Sequence, residues 1–91
     1  MITAIVFVSS EVSAISDAAA QIADLDGVSE VYSVTGQHDL IVMVRVRQHD
    51  DIATVVVEGI NKVPGVTATE THIAFRTVSR HDLEAAFDIG F

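Results

Sequence analysis

The sequence predicts an α+β fold, a four-stranded antiparallel sheet with two helices on one face, and three observations lead there. Stretches with strand character and stretches with helical spacing follow one another in the order β-α-β-β-α-β. The first and third strand segments are the most apolar, as strands at the centre of a sheet must be. The chain has 91 residues, enough for one hydrophobic core and not for two.

Residues 2–8, Ile-Thr-Ala-Ile-Val-Phe-Val, form a strand that is apolar at nearly every position. Ser9-Ser10-Glu11 offers hydroxyl caps and an acid to the helix that follows. Val12, Ile15, Ala19, Ile22 and Ala23 make its apolar stripe, and Gly27 is its left-handed stop. Residues 28–35 and 40–47 are two strands of a hairpin joined by Gly36-Gln37-His38-Asp39. His49-Asp50-Asp51 opens a second helix, with Ile52, Val55, Val56, Gly59, Ile60 and Val63 inward and Pro64-Gly65 as its end. Residues 66–78 are a long alternating strand. Residues 79–91 form a tail of the same unit, with a short helix carrying Leu83, Ala86 and Phe87. This is the split, ferredoxin-like β-α-β-β-α-β arrangement over residues 1–78, and right-handed crossovers put the first and third strands in the middle.

Composition narrows the function. Thirteen acidic residues against five basic ones give a net charge of −8. A duplex with a negative charge every ~1.7 Å needs a dense basic face, which this chain cannot assemble, so no direct nucleic-acid binding is expected. No apolar run approaches the ~20 residues of a membrane span. Met1-Ile2-Thr3-Ala4 has no basic leader region, and there is no cysteine, which fits a cytoplasmic location.

Helices cover one side of such a sheet, yet both sides read as apolar. Alternation places Ile5 and Phe7 of the first strand, Ile41 and Met43 of the third, and Ile73 and Phe75 of the last together on the uncovered side. That patch exceeds what soluble monomers usually expose. At ~25 cal/mol per Å², covering ~400–600 Å² per subunit is worth ~10–15 kcal/mol before association costs of several kcal/mol. A dimer packed sheet against sheet is expected, with these six residues at its interface; the alternative is a monomer roofed by its own tail helix.

No catalytic residue and no cofactor is assigned. His49 and His81 sit at helix starts beside acids, and His72 lies mid-strand. The sequence has no His-x-x-x-His spacing, no nucleophile elbow and no phosphate loop, so no metal site is expected either. The hairpin turn is the exception. Gly36 lets the backbone approach a ligand closely, and Asp39 places a carboxylate at the exit that suits a small ammonium group. On chemistry alone the same residues also make an ordinary turn with a solvated acid.

Residues 31–40, Val-Tyr-Ser-Val-Thr-Gly-Gln-His-Asp-Leu, resemble the strand–turn–strand signature of the ligand-binding domain of Lrp/AsnC transcription regulators. Gly65-Val66 followed by Thr71 resembles the same family's entry into its last strand. The resemblance runs from Ile2 to about Val78 and looks like a stand-alone form without the helix-turn-helix. It implies dimers, assembled further into octamers or decamers, with a small amino acid or related metabolite held between them. Carried over by position, Thr35, Gly36, Gln37, His38, Asp39 and Leu40 form one wall, and Thr69 and Thr71 add hydroxyls. His38 stands where the family often has an aromatic.

The expectation is a non-catalytic sensing and oligomerisation domain acting in transcription regulation, partnered by itself and by full-length Lrp/AsnC regulators. The alternatives are a dimeric α/β-barrel enzyme of the cofactor-free monooxygenase or isomerase type, and an assembly module without a ligand.

Overall fold

The structure, a computed structural model, describes residues 1–80. Four strands, β1 (Ile2–Ser10), β2 (Val28–Ser33), β3 (Leu40–Val46) and β4 (Val66–Ile73), form one antiparallel sheet in the order β2-β3-β1-β4. The two most apolar strands are central, as expected, and the fold is the ferredoxin-like α+β sandwich. The expected tail helix with Leu83, Ala86 and Phe87 lies outside the described residues.

Helix α1 (Ile15–Ala23) and helix α2 (His49–Ala53) cover one face of the sheet. Their inward side chains meet Ala4, Val6 and Val8 of β1 and Leu40, Val42 and Val44 of β3, all fully buried. α2 continues through a π-helical stretch, Thr54–Gly59, and a 3-10 turn, Ile60–Lys62. Thr54, Val55, Val56 and Val57 are all β-branched, a run that crowds an α-helical turn. Of the predicted inward stripe, Ile52, Val55, Val56, Ile60 and Val63 are buried and Gly59 is half-buried. At its start the Gln48 N–H donates to Asp51 Oδ2 at 3.2 Å, so an acid caps the helix.

Three predicted details are corrected. Ser9 and Ser10 extend β1 instead of capping α1, which is preceded by a 3-10 turn, Val12–Ala14. That tighter winding takes Val12 out of the apolar stripe and leaves it exposed, while Ala18 is buried in the core and Ala23 faces solvent. β4 ends at Ile73, five residues short of the predicted Val78, and both Phe75 and Val78 are exposed.

The third correction concerns the open face. β4 pairs with β1 as Ser10↔Val66 and then Ser9↔Ala68, with a register shift between them. One extra residue, Thr67, is accommodated there, and its hydroxyl donates to the Ser9 carbonyl at 3.1 Å. Such a bulge exchanges the two sides of everything beyond it. Val66 packs against the core, but Ile73 then lies opposite Ala4 on the helix side, and Phe75 stands beyond the strand. Ile73 and Phe75 therefore do not join Ile5, Phe7, Ile41 and Met43. The open face instead takes Ala68, Glu70 and His72 from β4. A second bulge, between Val28 and Glu30, sets Glu30 opposite Met43 and Tyr32 opposite Ile41 on the same face. Ile5, Phe7, Ile41 and Met43 are half-buried there.

Candidate functional site

The turn between β2 and β3 sits at the C-terminal end of β1 and is tied to it. The Val34 N–H donates to the Asp39 carbonyl at 3.0 Å, and the Asp39 N–H donates to the Val8 carbonyl at 2.9 Å. Asp39 Oδ2 accepts the Ser10 N–H at 2.8 Å. This bond fixes the carboxylate's direction, while Oδ1 has no protein partner among the described residues. Gly36 has φ +113°, and a Cβ built there meets nothing within 4 Å. The turn demands glycine for its left-handed backbone, and the space above it is open. Thr35, Gly36 and Gln37 are exposed, Asp39 is half-buried, and Leu40 is wholly inside the core.

His38 leaves the turn toward the open face. Its ring lies 5.2 Å from that of Phe7, and its Nδ1 is 3.4 Å from Ser9 Oγ. Phe7 also meets the His72 ring edge-on at 5.2 Å, and His72 Nε2 is 3.0 Å from Glu70 Oε2. The end of the open face thus carries an aromatic cluster with a polar fringe, continuous with the turn.

The predicted wall is therefore divided. Thr35, Gly36, Gln37, His38 and Asp39 stand together. Thr69 and Thr71 fall on the helix side of β4, and the Thr69 hydroxyl donates to Asn61 Oδ1 at 2.7 Å. With Asn61, Val66, Thr67 and Ala68, Thr69 lines a separate cleft of about 290 Å³. Glu70 was not singled out from sequence, Ser9 and Ser10 were read there only as helix caps, and His72 was considered mid-strand but assigned no role; the Ser9-Ser10 pair ending an apolar strand is the one local signal that places them here. Among the described residues no cluster of His, Asp and Glu could hold a metal, and no helix is long and apolar enough to cross a membrane.

On the open face of β2 and β3, Arg45 Nη1 donates to Ser29 Oγ at 2.6 Å and to Glu30 Oε1 at 3.2 Å, and the Tyr32 hydroxyl donates to Glu30. Glu30 is held below the usual carboxylate range by the Tyr32 hydrogen bond first and by Arg45 second. Tyr32 is raised, chiefly by Glu30. Hydrogen bonds from Lys62 and His72 lower Glu58 and Glu70 in the same way. A carboxyl lowered by folding stabilises the native state above its unfolded value, and that contribution goes as pH falls through the folded one. A tyrosine raised by folding stabilises below its unfolded value and loses the effect as pH rises through the folded one. Thermal unfolding is thus expected to move to lower temperature below about pH 4.5 and again above about pH 10. In Glu30→Gln the acid drop should be shallower and the alkaline drop weaker, each by a small margin because these groups are exposed. Equal slopes in variant and parent would refute the assignment.

The Lrp/AsnC ligand binding domain model matches residues 3–83. The chain belongs to this family. This Lrp/AsnC domain is 37% identical over 62 residues to an uncharacterised HTH-type transcriptional regulator, PH1916, of Pyrococcus horikoshii, a match covering 68% of the chain and 41% of that regulator. The chain thus spans about two-fifths of the length of the curated relatives it matches. TTHA0845 of Thermus thermophilus superposes with a TM-score of 0.84 at 41% identity, covering 88% of this chain and all of that one. A feast or famine regulatory protein of Mycobacterium tuberculosis, solved in complex with L-methionine, shares the fold at 24% identity and a TM-score of 0.74, covering 87% of this chain and 53% of that one.

Proposed function

We propose that this domain is a non-catalytic sensor that binds a small amino acid at the 35–39 turn and links that binding to self-assembly through the open sheet face. The observation that carries the reading is Asp39. One carboxylate oxygen is spent on the Ser10 N–H, and the other has no protein partner among the described residues, three positions on from a left-handed glycine whose Cβ side is open. Such a carboxylate accepts hydrogen bonds from an α-ammonium group, and exposed turn N–H groups suit an α-carboxylate. One chain supplies one wall, and a second subunit supplies the other. A ligand held between subunits binds the assembly better than the separate chains, so it shifts the assembly equilibrium by that affinity difference. The M. tuberculosis relative's L-methionine makes that amino acid the first to try. Joining full-length regulators of the family is the output this reading favours.

A thermal-shift screen of the twenty amino acids tests it. At 100-fold excess over Kd a ligand specific for the native state adds about 2.7 kcal/mol. For a chain this size that raises Tm by roughly 10 °C or more. Asp39→Asn keeps an acceptor for the Ser10 N–H and removes the charge, so its own Tm should change little while the ligand shift disappears. If no amino acid raises the Tm of the parent, the sensor reading fails; if the shift survives Asp39→Asn, the site is elsewhere.

A further inference from the structure

A cleft of about 240 Å³ opens where β4 ends, and His49, the first residue of α2, lines it. The Ala74 N–H donates to the Thr3 carbonyl at 2.8 Å and ties the end of β4 to the start of β1. Beyond that bond the chain leaves the sheet and carries Phe75 and Arg76 along the cleft. The 35–39 turn lies at the other end of β1, roughly 20–25 Å away along the strand.

Two features set this cleft apart, and the first is apolar surface. Seven large apolar side chains are exposed among the described residues, and three of them, Met1, Ile73 and Phe75, line it together. Phe75 is fully exposed and Ile73 is 51% exposed, so a ligand that covers them removes apolar area from water. The second feature is charge. The chain has thirteen acidic residues, yet none of them lines the cleft. Arg45 and Lys62 are spent on Glu30 and Glu58, whereas Arg76 has no hydrogen-bond or ion-pair partner among the described residues. His49 has no hydrogen-bond partner among them either. Asp51, two residues on, is turned back to the Gln48 N–H.

We infer that this cleft binds a small monocarboxylate with a branched or aromatic apolar body and no ammonium group. The Arg76 guanidinium offers its two-pronged fork of donors to the carboxylate, and an imidazole N–H of His49 adds another. The apolar body lies against Ile73 and Phe75. The volume falls below the ~300–1,000 Å³ of sites for drug-sized ligands, so the occupant is a small metabolite. An α-ammonium group is unwelcome here. No carboxylate lines the cleft to accept it, and the Arg76 charge repels it. This is the reverse of the turn, where the Asp39 carboxylate suits an ammonium. The inference therefore rests neither on the effector reading of the turn nor on any contact between subunits.

Calorimetric titration of the full chain with 3-phenylpropionate tests it. A Kd of about 1 mM or tighter is expected for a ligand of this size. The amide of the same acid keeps the body and loses the charge, and L-phenylalanine adds only the ammonium. Each should bind about tenfold more weakly or worse, L-phenylalanine being titrated into Asp39→Asn so that the turn does not contribute. Arg76→Gln should weaken 3-phenylpropionate by about tenfold at an unchanged Tm, because Arg76 is exposed and supports no other group. Lys62→Gln removes a cation elsewhere and should leave the affinity as it was. Asp39→Asn should also leave it as it was, which separates failure of this inference from failure of the effector reading. Absence of binding well above that Kd overturns the inference. So does equal affinity for the acid and its amide, or for the acid and L-phenylalanine, or an Arg76→Gln protein that binds no worse than Lys62→Gln.

Discussion

Met43→Lys is expected to cut the sedimenting mass at least twofold while leaving the fold intact. Met43 lies on the open face, opposite Ile5 of β1 and opposite Glu30 of β2. Ile5, Phe7, Ile41 and Met43 form one apolar field there, none of them fully covered by the chain's described residues. A lysine at this place in a single chain keeps its stem on Ile5 and its ammonium beside the Glu30 carboxylate, so the monomer suffers little. Between two packed sheets the same ammonium loses its water, at a cost of several kcal/mol that one carboxylate already paired with Arg45 does not offset. The face contact then breaks. A sedimenting mass unchanged in Met43→Lys refutes face packing.

Most of the architecture was legible because hydrophobic period and strand apolarity agree with each other. Val6, Val42 and Val44 belong to segments apolar on both parities, and such segments can only be central. What was not legible is where a strand takes an extra residue. Counting alternately from Val66 puts Ile73 and Phe75 on the open face, and Thr67 breaks the count. Nothing in Val-Thr-Ala-Thr announces a bulge, because it is imposed by where β1 and the first helix meet: Ser10 pairs with Val66, while Glu11, one residue on, bonds back to Gly65. The same reason hides part of the site. Gly36 and Asp39 are close in sequence and recognisable together. The Ser10 N–H that orients Asp39 is twenty-nine positions away, and the His38–Phe7–His72 cluster joins three elements whose register had to be known first.

Gly65→Ala should lower the stability of the domain by about 2–4 kcal/mol, which for a chain of this length is a fall in Tm of roughly 10–25 °C. Gly65 has φ +93°, and a Cβ there would stand 2.3 Å from the Cβ of Ala14. The left-handed backbone alone costs about 1 kcal/mol for alanine. The contact costs more, because neither atom belongs to a flexible side chain that could swing aside. Ala14 closes the 3-10 turn before α1, and Gly65 carries the carbonyl that accepts the Glu11 N–H at 2.8 Å. Relief requires the start of α1 to move away from the entry of β4, and that movement strains the Glu11 bond and the Thr67 bulge together. A double substitution separates the two costs: Ala14→Gly combined with Gly65→Ala removes the collision but keeps the strained φ. It should recover more than half of the loss, less the ordinary cost of glycine at position 14. Recovery of none of it would mean that the turn conformation, and not the close approach of α1 to β4, is what Gly65 serves.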